Sequence, residues 1–349
     1  MKNEHKFLGF IGTYTKGASE GIYSFTFNTE DGKIEDMKVA AKIENPTYLT
    51  ISKNNQHLYA VAKAGENGGV AAFSLSRDTG DLQFLNQQTA EGSPPCHVSV
   101  DPKNRYLLSG NYHKGTVAAN TLNKENGMIN GEPSIIQHKG ANEDQKPHTH
   151  YAAFTPDEKY IAVVDLGIDQ LVTYKLNKDE LVKVSHLDLK PGSGPRHLVF
   201  HPNHPYAYLM TEFSSEVILL QYNTENGAFS EIQSISTLPA DFTENNQGSA
   251  IHISSDGRFV YAGNRGHNSI AVFSVDQDTY KLTFVEHTST MGDWPRDFSL
   301  DPTEKYVIAS NQESSNLVLY KRNIETGTLT LLQSDIVVPH PVCVKFLNQ

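Results

Sequence analysis

One outline recurs seven times along this chain, at a period of about 50 residues. Segments of similar pattern end in Gly-Thr13-Tyr, Ala-Lys63-Ala, Gly-Asn111-Tyr, Val-Asp165-Leu, Met-Thr211-Glu, Gly-Asn264-Arg and Ser-Asn311-Gln, spaced by 50, 48, 54, 46, 53 and 47 positions. A repeat of that length, with several short β-like runs in each copy, means a propeller or a solenoid. Seven copies account for all 349 residues, so the length implies one closed domain spanning 1–349 rather than two or three ordinary ones.

Residues 93–137 show the unit. Cys96–Val100 reads as a first strand, and Asp101-Pro-Lys-Asn104 as a turn in which Pro presets φ and Asp bonds its own backbone. Arg105–Tyr112 and Thr116–Leu122 follow as second and third strands, and Met128–Gln137 as a weaker outer one. Four strands per copy predict an all-β, seven-bladed β-propeller with four antiparallel strands in each blade. The ends are out of phase with the repeat. Phe7–Tyr14 matches a second strand and Pro341–Leu347 a first strand, so the C-terminal strand is expected to join the N-terminal blade and close the ring. Closure removes sheet edges on which other chains could pair.

Twenty-nine basic against 40 acidic residues give a net charge of −11, which argues against nucleic acid or an anionic membrane as a partner. No run approaches the ~20 apolar residues of a membrane-spanning helix. The N-terminus leads straight into the first strand without a signal-peptide pattern, and two cysteines make no disulfide framework, so a cytoplasmic location is expected.

Strand one of each blade leaves from the face to which strand two returns. The starts of first strands and the ends of second strands therefore converge on one mouth. The starts contribute Tyr48, His97, His148, His150, Arg196, His197, Arg296, Asp297 and Cys343; the ends contribute Thr13, Lys63, Asn111, Asp165, Glu212, Asn264, Arg265 and Asn311. Two long connections, 137–147 and 239–249, lie over the same face, where loops on a rigid scaffold commonly carry function. Within so acidic a chain, Lys63, Arg196, Arg265 and Arg296 with His97, His150 and His197 read as a receptor for a small anion, since guanidinium meets carboxylate or phosphate through a planar fork. Glu212 or a mouth histidine would be the general base.

Each residue also has a plainer reading. Asn111, Asn264 and Asn311 precede turns and could serve local backbone, as could Asp165. Arg196, Glu212 and Arg265 could form an interblade ion pair, Arg296 could pair with Asp297, and Trp294 could be blade packing. Cys343 reads as a small buried hydrophobe. A calcium site from Asp165, Glu212 and Asn264 would be opposed by Lys63 and Arg265, so neither metal nor cofactor is expected. No nucleophile elbow, Walker loop or dinucleotide fingerprint occurs.

The set Gly12-Thr-Tyr-Thr15, Asn45-Pro-Thr-Tyr48, Pro95-Cys-His-Val98, Lys146-Pro-His-Thr-His150, Asp165-Leu-Gly167, Gly194-Pro-Arg-His197, Gly263-Asn-Arg-Gly266 and Trp294-Pro-Arg-Asp297 resembles the seven-bladed lactonase family. That family comprises propeller-type 6-phosphogluconolactonases and carboxy-cis,cis-muconate cyclases. The resemblance covers essentially the whole chain. It implies metal-free opening or closing of a lactone ring, with a His (His148 or His150), Arg196, Glu212 and Arg265 as functional residues. It further implies 6-phosphogluconolactone as substrate, within the pentose phosphate pathway, or alternatively a muconate-type lactone. A propeller that only binds a protein partner is the non-enzymatic alternative, and would show a broad apolar face instead of a polar funnel.

Overall fold

The computed structural model describes residues 5–349. Twenty-eight strands form seven four-stranded antiparallel sheets, and no helix occurs among the described residues. Each sheet is one blade, in chain order of its strands from the central axis outward. The blade that closes the ring is the exception: its innermost strand is Pro341–Phe346, paired antiparallel with Lys6–Thr13 through partners such as Ile11 and Val344. The tail then reaches the next blade, where Asn348 exchanges hydrogen bonds with Asn55 and donates to the Ser52 carbonyl.

Burial grades outward as a propeller requires. The second strand Phe259–Arg265 is buried at every position, whereas the outer strand Leu329–Val337 alternates toward solvent. Packing between blades is apolar, as where Tyr208, Met210 and Leu219 meet Val260, Ala262 and Phe273. Tyrosine hydroxyls staple neighbouring blades at the far face: Tyr59, Tyr208 and Tyr261 donate to the carbonyls of Gly127, Tyr280 and Gly327. Buried phenols need such partners.

The turn between first and second strands is built alike in most blades. A side-chain oxygen of Ser52, Asp101, Thr155, Ser254 or Asp301 accepts the backbone N–H five residues on. The Asp-Pro turns are structural, as their chemistry suggested.

Candidate active site

Where the first strand enters its blade, the ladder slips by one residue. Thr149 pairs with Asp165 and Tyr151 with Val164; Pro195 pairs with Thr211 and His197 with Met210; Pro295 pairs with Asn311 and Asp297 with Ser310. The unpaired residues are His150, Arg196 and Arg296. A bulge re-aims the side chain it carries, and here it turns one side chain per blade toward the mouth. Cys96, just ahead of the His97–Gly110 pair, is the corresponding residue of its own blade.

His150, Arg296 and Cys96 reach a funnel of about 530 Å3 lined also by Tyr14, Asn45, Thr47, Lys63, Tyr112, Glu212, Phe213, Gln247, Arg265 and Trp294, among others, while Arg196 stays buried beneath its wall. At its base one carboxylate oxygen of Glu212 takes two guanidiniums: Arg196 Nε at 3.0 Å and an Arg265 terminal nitrogen at 2.6 Å. Arg196 also donates to the Ser249 carbonyl at 2.7 Å, which ties it to the neighbouring blade, and Arg265 donates to that of Gly248 at 2.8 Å, on the first strand of its own blade. The Nε of Arg265 is buried without a partner. Its guanidinium lies 5.6 Å from the Trp294 ring centroid, and that of Arg296 lies 5.6 Å from the Tyr14 ring. Gly194 makes room for this entry: at φ +61, a Cβ there would strike the Phe213 ring at 2.5 Å.

Burial would push the Glu212 carboxyl up, but Arg265 and Arg196 more than offset it and hold the group below the usual carboxylate range. Glu212 is a fixed anion and a poor base. Burial and the neighbouring Arg196 lower Arg265 to about 9, which leaves it cationic at neutral pH. Burial, reinforced by Arg196 and Arg296, drives His150 well below the ordinary imidazole value, so its ring is neutral. Its Nδ1 has no partner.

His148 and His150 part company here. The bulge sends His150 into the funnel, whereas His148 stacks on Tyr112 at 4.2 Å and donates from Nδ1 to the Tyr112 carbonyl. It lines a separate groove beside the mouth. His97 and His197 lie one step further along their strands, packed with Tyr48 and Tyr151. Burial lowers His97 to about 3. Lys63 stands in the wall, paired with Glu44 at 3.0 Å.

The structure does not bring Asn111, Asp165, Asn264 or Asn311 into the funnel wall. All four are buried and brace the loop that enters the first strand. Asn111 donates to the Ser93 carbonyl, Asn264 to Thr237 and Asn311 to Thr290. Asp165 accepts from the backbone of His148, Gly167 and Ile168 and bonds His138, which in turn meets the Tyr174 hydroxyl. Two other expectations change. Trp294 faces the funnel rather than serving blade packing alone, because its backbone takes a positive φ of 63° just before the bulge. Arg296 does not pair with Asp297, since adjacent residues across the bulge diverge; Asp297 instead lies near Lys345 and His252.

Tyr14, Tyr112, Phe213, Gln247 and Cys96 were not among the expected site residues. The Pro-X step at Pro95-Cys96, Pro195-Arg196 and Pro295-Arg296 is a repeated signal that would have found Cys96. Burial pushes its thiol up to about 11, so it is not a nucleophile at neutral pH. Among the described residues no group of three or more His, Cys, Asp or Glu is arranged to hold a metal ion.

Known proteins share this architecture at full length. The family described as lactonase, 7-bladed beta-propeller, matches residues 8–346. A 6-phosphogluconolactonase from Bacillus subtilis is 54% identical over 347 residues, covering 99% of each chain. A crystal structure of a protein from Lactobacillus plantarum superposes with a TM-score of 0.92 at 40% identity, covering 98% of this chain and 100% of that one. The periplasmic gluconolactonase PpgL of Pseudomonas aeruginosa does so with 0.91 at 29% identity, covering 98% and 99%. With a matching ring, a matching repeat and a family match across nearly every residue, the chain belongs to the seven-bladed β-propeller lactonases.

Proposed function

We propose that this protein hydrolyses 6-phospho-D-glucono-1,5-lactone to 6-phosphogluconate at the funnel. The observation that carries the reading is charge. Arg265 and Arg296 line the funnel and Arg196 lies buried beneath it, with Glu212 as the single carboxylate against Arg196 and Arg265, leaving an excess of two positive charges in a largely buried site. A phosphate monoester brings about −1.5 to −2 at neutral pH, which balances it. The relative from Bacillus subtilis carries the same activity in its name.

The reaction needs a base for water and donors for the carbonyl oxygen as it turns anionic. His150 is the base by position: its ring stands neutral in the funnel with nitrogens not committed to the protein, and a bound phosphate offsets the guanidiniums that disfavour its protonation. Glu212 cannot compete, since both guanidiniums stabilise its ionised form. Its work is to hold Arg265 rigid against the buried Arg196, so that the remaining N–H groups of Arg265, which lines the funnel, meet the oxyanion without reorganising. Arg296, with no carboxylate in ion-pair distance among the described residues, takes the phosphate, and Lys63 guards the wall. Tyr14, Tyr112 and Trp294 offer apolar faces for the sugar ring. The two free cysteines, neither in a disulfide, suit the reducing cytoplasm.

The Pseudomonas neighbour is named for a lactone without phosphate, so substrate comparison is the test. Purified protein should accelerate 6-phosphogluconolactone hydrolysis over the spontaneous rate, with or without EDTA, and far more than gluconolactone or a muconate lactone at equal concentration. His150→Gln should lower kcat by ~10²-fold, the usual worth of a general base, whereas His148→Ala should cost much less. Equal rates on lactones with and without phosphate would defeat the assignment.

A further inference from the structure

Lactone hydrolysis releases a net proton at neutral pH. Water adds to the carbonyl, the C–O ring bond breaks, the ring oxygen keeps one proton as a hydroxyl, and the new acid ionises. That proton must leave a cationic funnel while the product still occupies it. Behind His150 stands His197, a buried residue with no role in the scheme above, its ring centroid 5.2 Å away at 60°. Each ring has one sealed nitrogen without a partner: Nδ1 of His150 and Nε2 of His197. Two orphaned imidazole nitrogens in adjacent rings, 4% and 6% exposed, are costly unless they serve each other or a shared water.

We propose that His197 is a positioning and relay residue that takes the reaction proton from His150, directly or across one water, and passes it on from its other ring nitrogen, away from the substrate. The inference rests on the lactonase reading above. His150 receives the proton on the funnel side and yields one from its sealed nitrogen, so each transfer balances. His97 ends the relay as a wall, not a carrier. Its Nδ1 accepts the Ala152 N–H at 3.4 Å, which commits that nitrogen, and its ring centroid lies 5.6 Å from that of His197. The charged and titratable groups facing His197 are Arg196, His150, His97 and Lys345 with Tyr48 and Tyr151. The cations among them disfavour any resting charge on the ring, so the proton passes through without being stored.

The experiment is turnover of 6-phosphogluconolactone by His197→Ala in dilute non-imidazole buffer, with and without added imidazole, corrected for the enzyme-free rate. Loss of the relay should lower kcat by ~10-fold or more with KM nearly unchanged, and imidazole should restore most of it by occupying the vacated space. His197→Gln, which fills the space but carries no proton at this pH, should lose kcat alike and gain nothing from imidazole. Unchanged kcat in both variants, or a loss that imidazole does not move in the Ala variant, overturns the relay. If His197→Ala does not fold, a proton inventory on the unaltered enzyme decides: a curved plot supports two protons in flight and a linear one overturns it. Failure of the unaltered enzyme to accelerate the lactone would instead sink the functional reading itself.

Discussion

Glu212→Gln separates the two jobs of this carboxylate, holding guanidiniums and subtracting charge. Arg196 and Arg265 are 2% and 3% exposed, and each spends a donor on Glu212. Removing one partner of a buried ion pair typically costs ~3–5 kcal/mol, because the remaining charge stays buried. With about 2.1 cal/mol/K of unfolding entropy per residue over a chain this long, that is a Tm drop of roughly 4–7 °C. Anion affinity should move the other way. The funnel's excess rises from two positive charges to three, and one unit charge at ~8 Å in an effective dielectric of ~20 contributes about 2 kcal/mol. Inorganic phosphate, which carries more than one unit of negative charge at neutral pH, should therefore bind at least ~30-fold tighter while the unliganded protein melts earlier. Thermal melts across a phosphate series read both quantities, since ligand stabilisation grows as the logarithm of concentration over Kd. An unchanged Tm, or weaker phosphate binding, would refute the claim that Glu212 both anchors the pair and sets the charge.

Three further outcomes follow from the same geometry. Arg296→Ala should raise KM for the phosphorylated lactone by ~10-fold or more with little change in kcat, the pattern of lost ground-state binding, and should leave any slow turnover of gluconolactone alone. Trp294 is the chain's single tryptophan and sits against Arg265, so its fluorescence should change saturably with 6-phosphogluconate and not with uncharged glucose. Acid should destabilise the fold early. His97, His150 and His197 have folded values depressed by burial, so below the ordinary value of 6.5 the unfolded chain binds protons that the folded one refuses. The stability they allow is complete above pH 6.5 and lost as pH falls from there toward about 3, where His97 itself titrates, on the order of 5 kcal/mol from that ring alone. Urea midpoints between pH 7 and 4 should fall less steeply for His97→Phe than for the unaltered protein.

The ring itself was legible because a repeat repeats its physics. Turn residues at Asp101 and Asp301, alternating outer strands and an out-of-phase terminus such as Pro341–Phe346 state the four-stranded unit and its closure without any long-range information. Arg196, Glu212 and Arg265 could be singled out together because strand order sends their positions to one face. What linear position could not supply was which way each side chain points there. His148 and His150 both start a strand, and only the slipped pairing between Thr149 and Tyr151 turns His150 inward and leaves His148 stacked outside on Tyr112. The same slip separates Arg296 from Asp297, neighbours in sequence of which one lines the funnel and the other is buried beside Lys345.

Local sequence thus determined the strands, their turns and the closed seven-bladed ring, since φ preferences and apolar alternation act over a few residues. The site was decided by tertiary structure. Asn111, Asp165, Asn264 and Asn311 became braces because each found an entry loop to bind, while Arg265 and Trp294, apart in the chain, became one wall. A side chain's charge state and reach depend on what surrounds it in space. For Glu212 that surrounding is two guanidiniums from different strands, which no local reading of its neighbours contains.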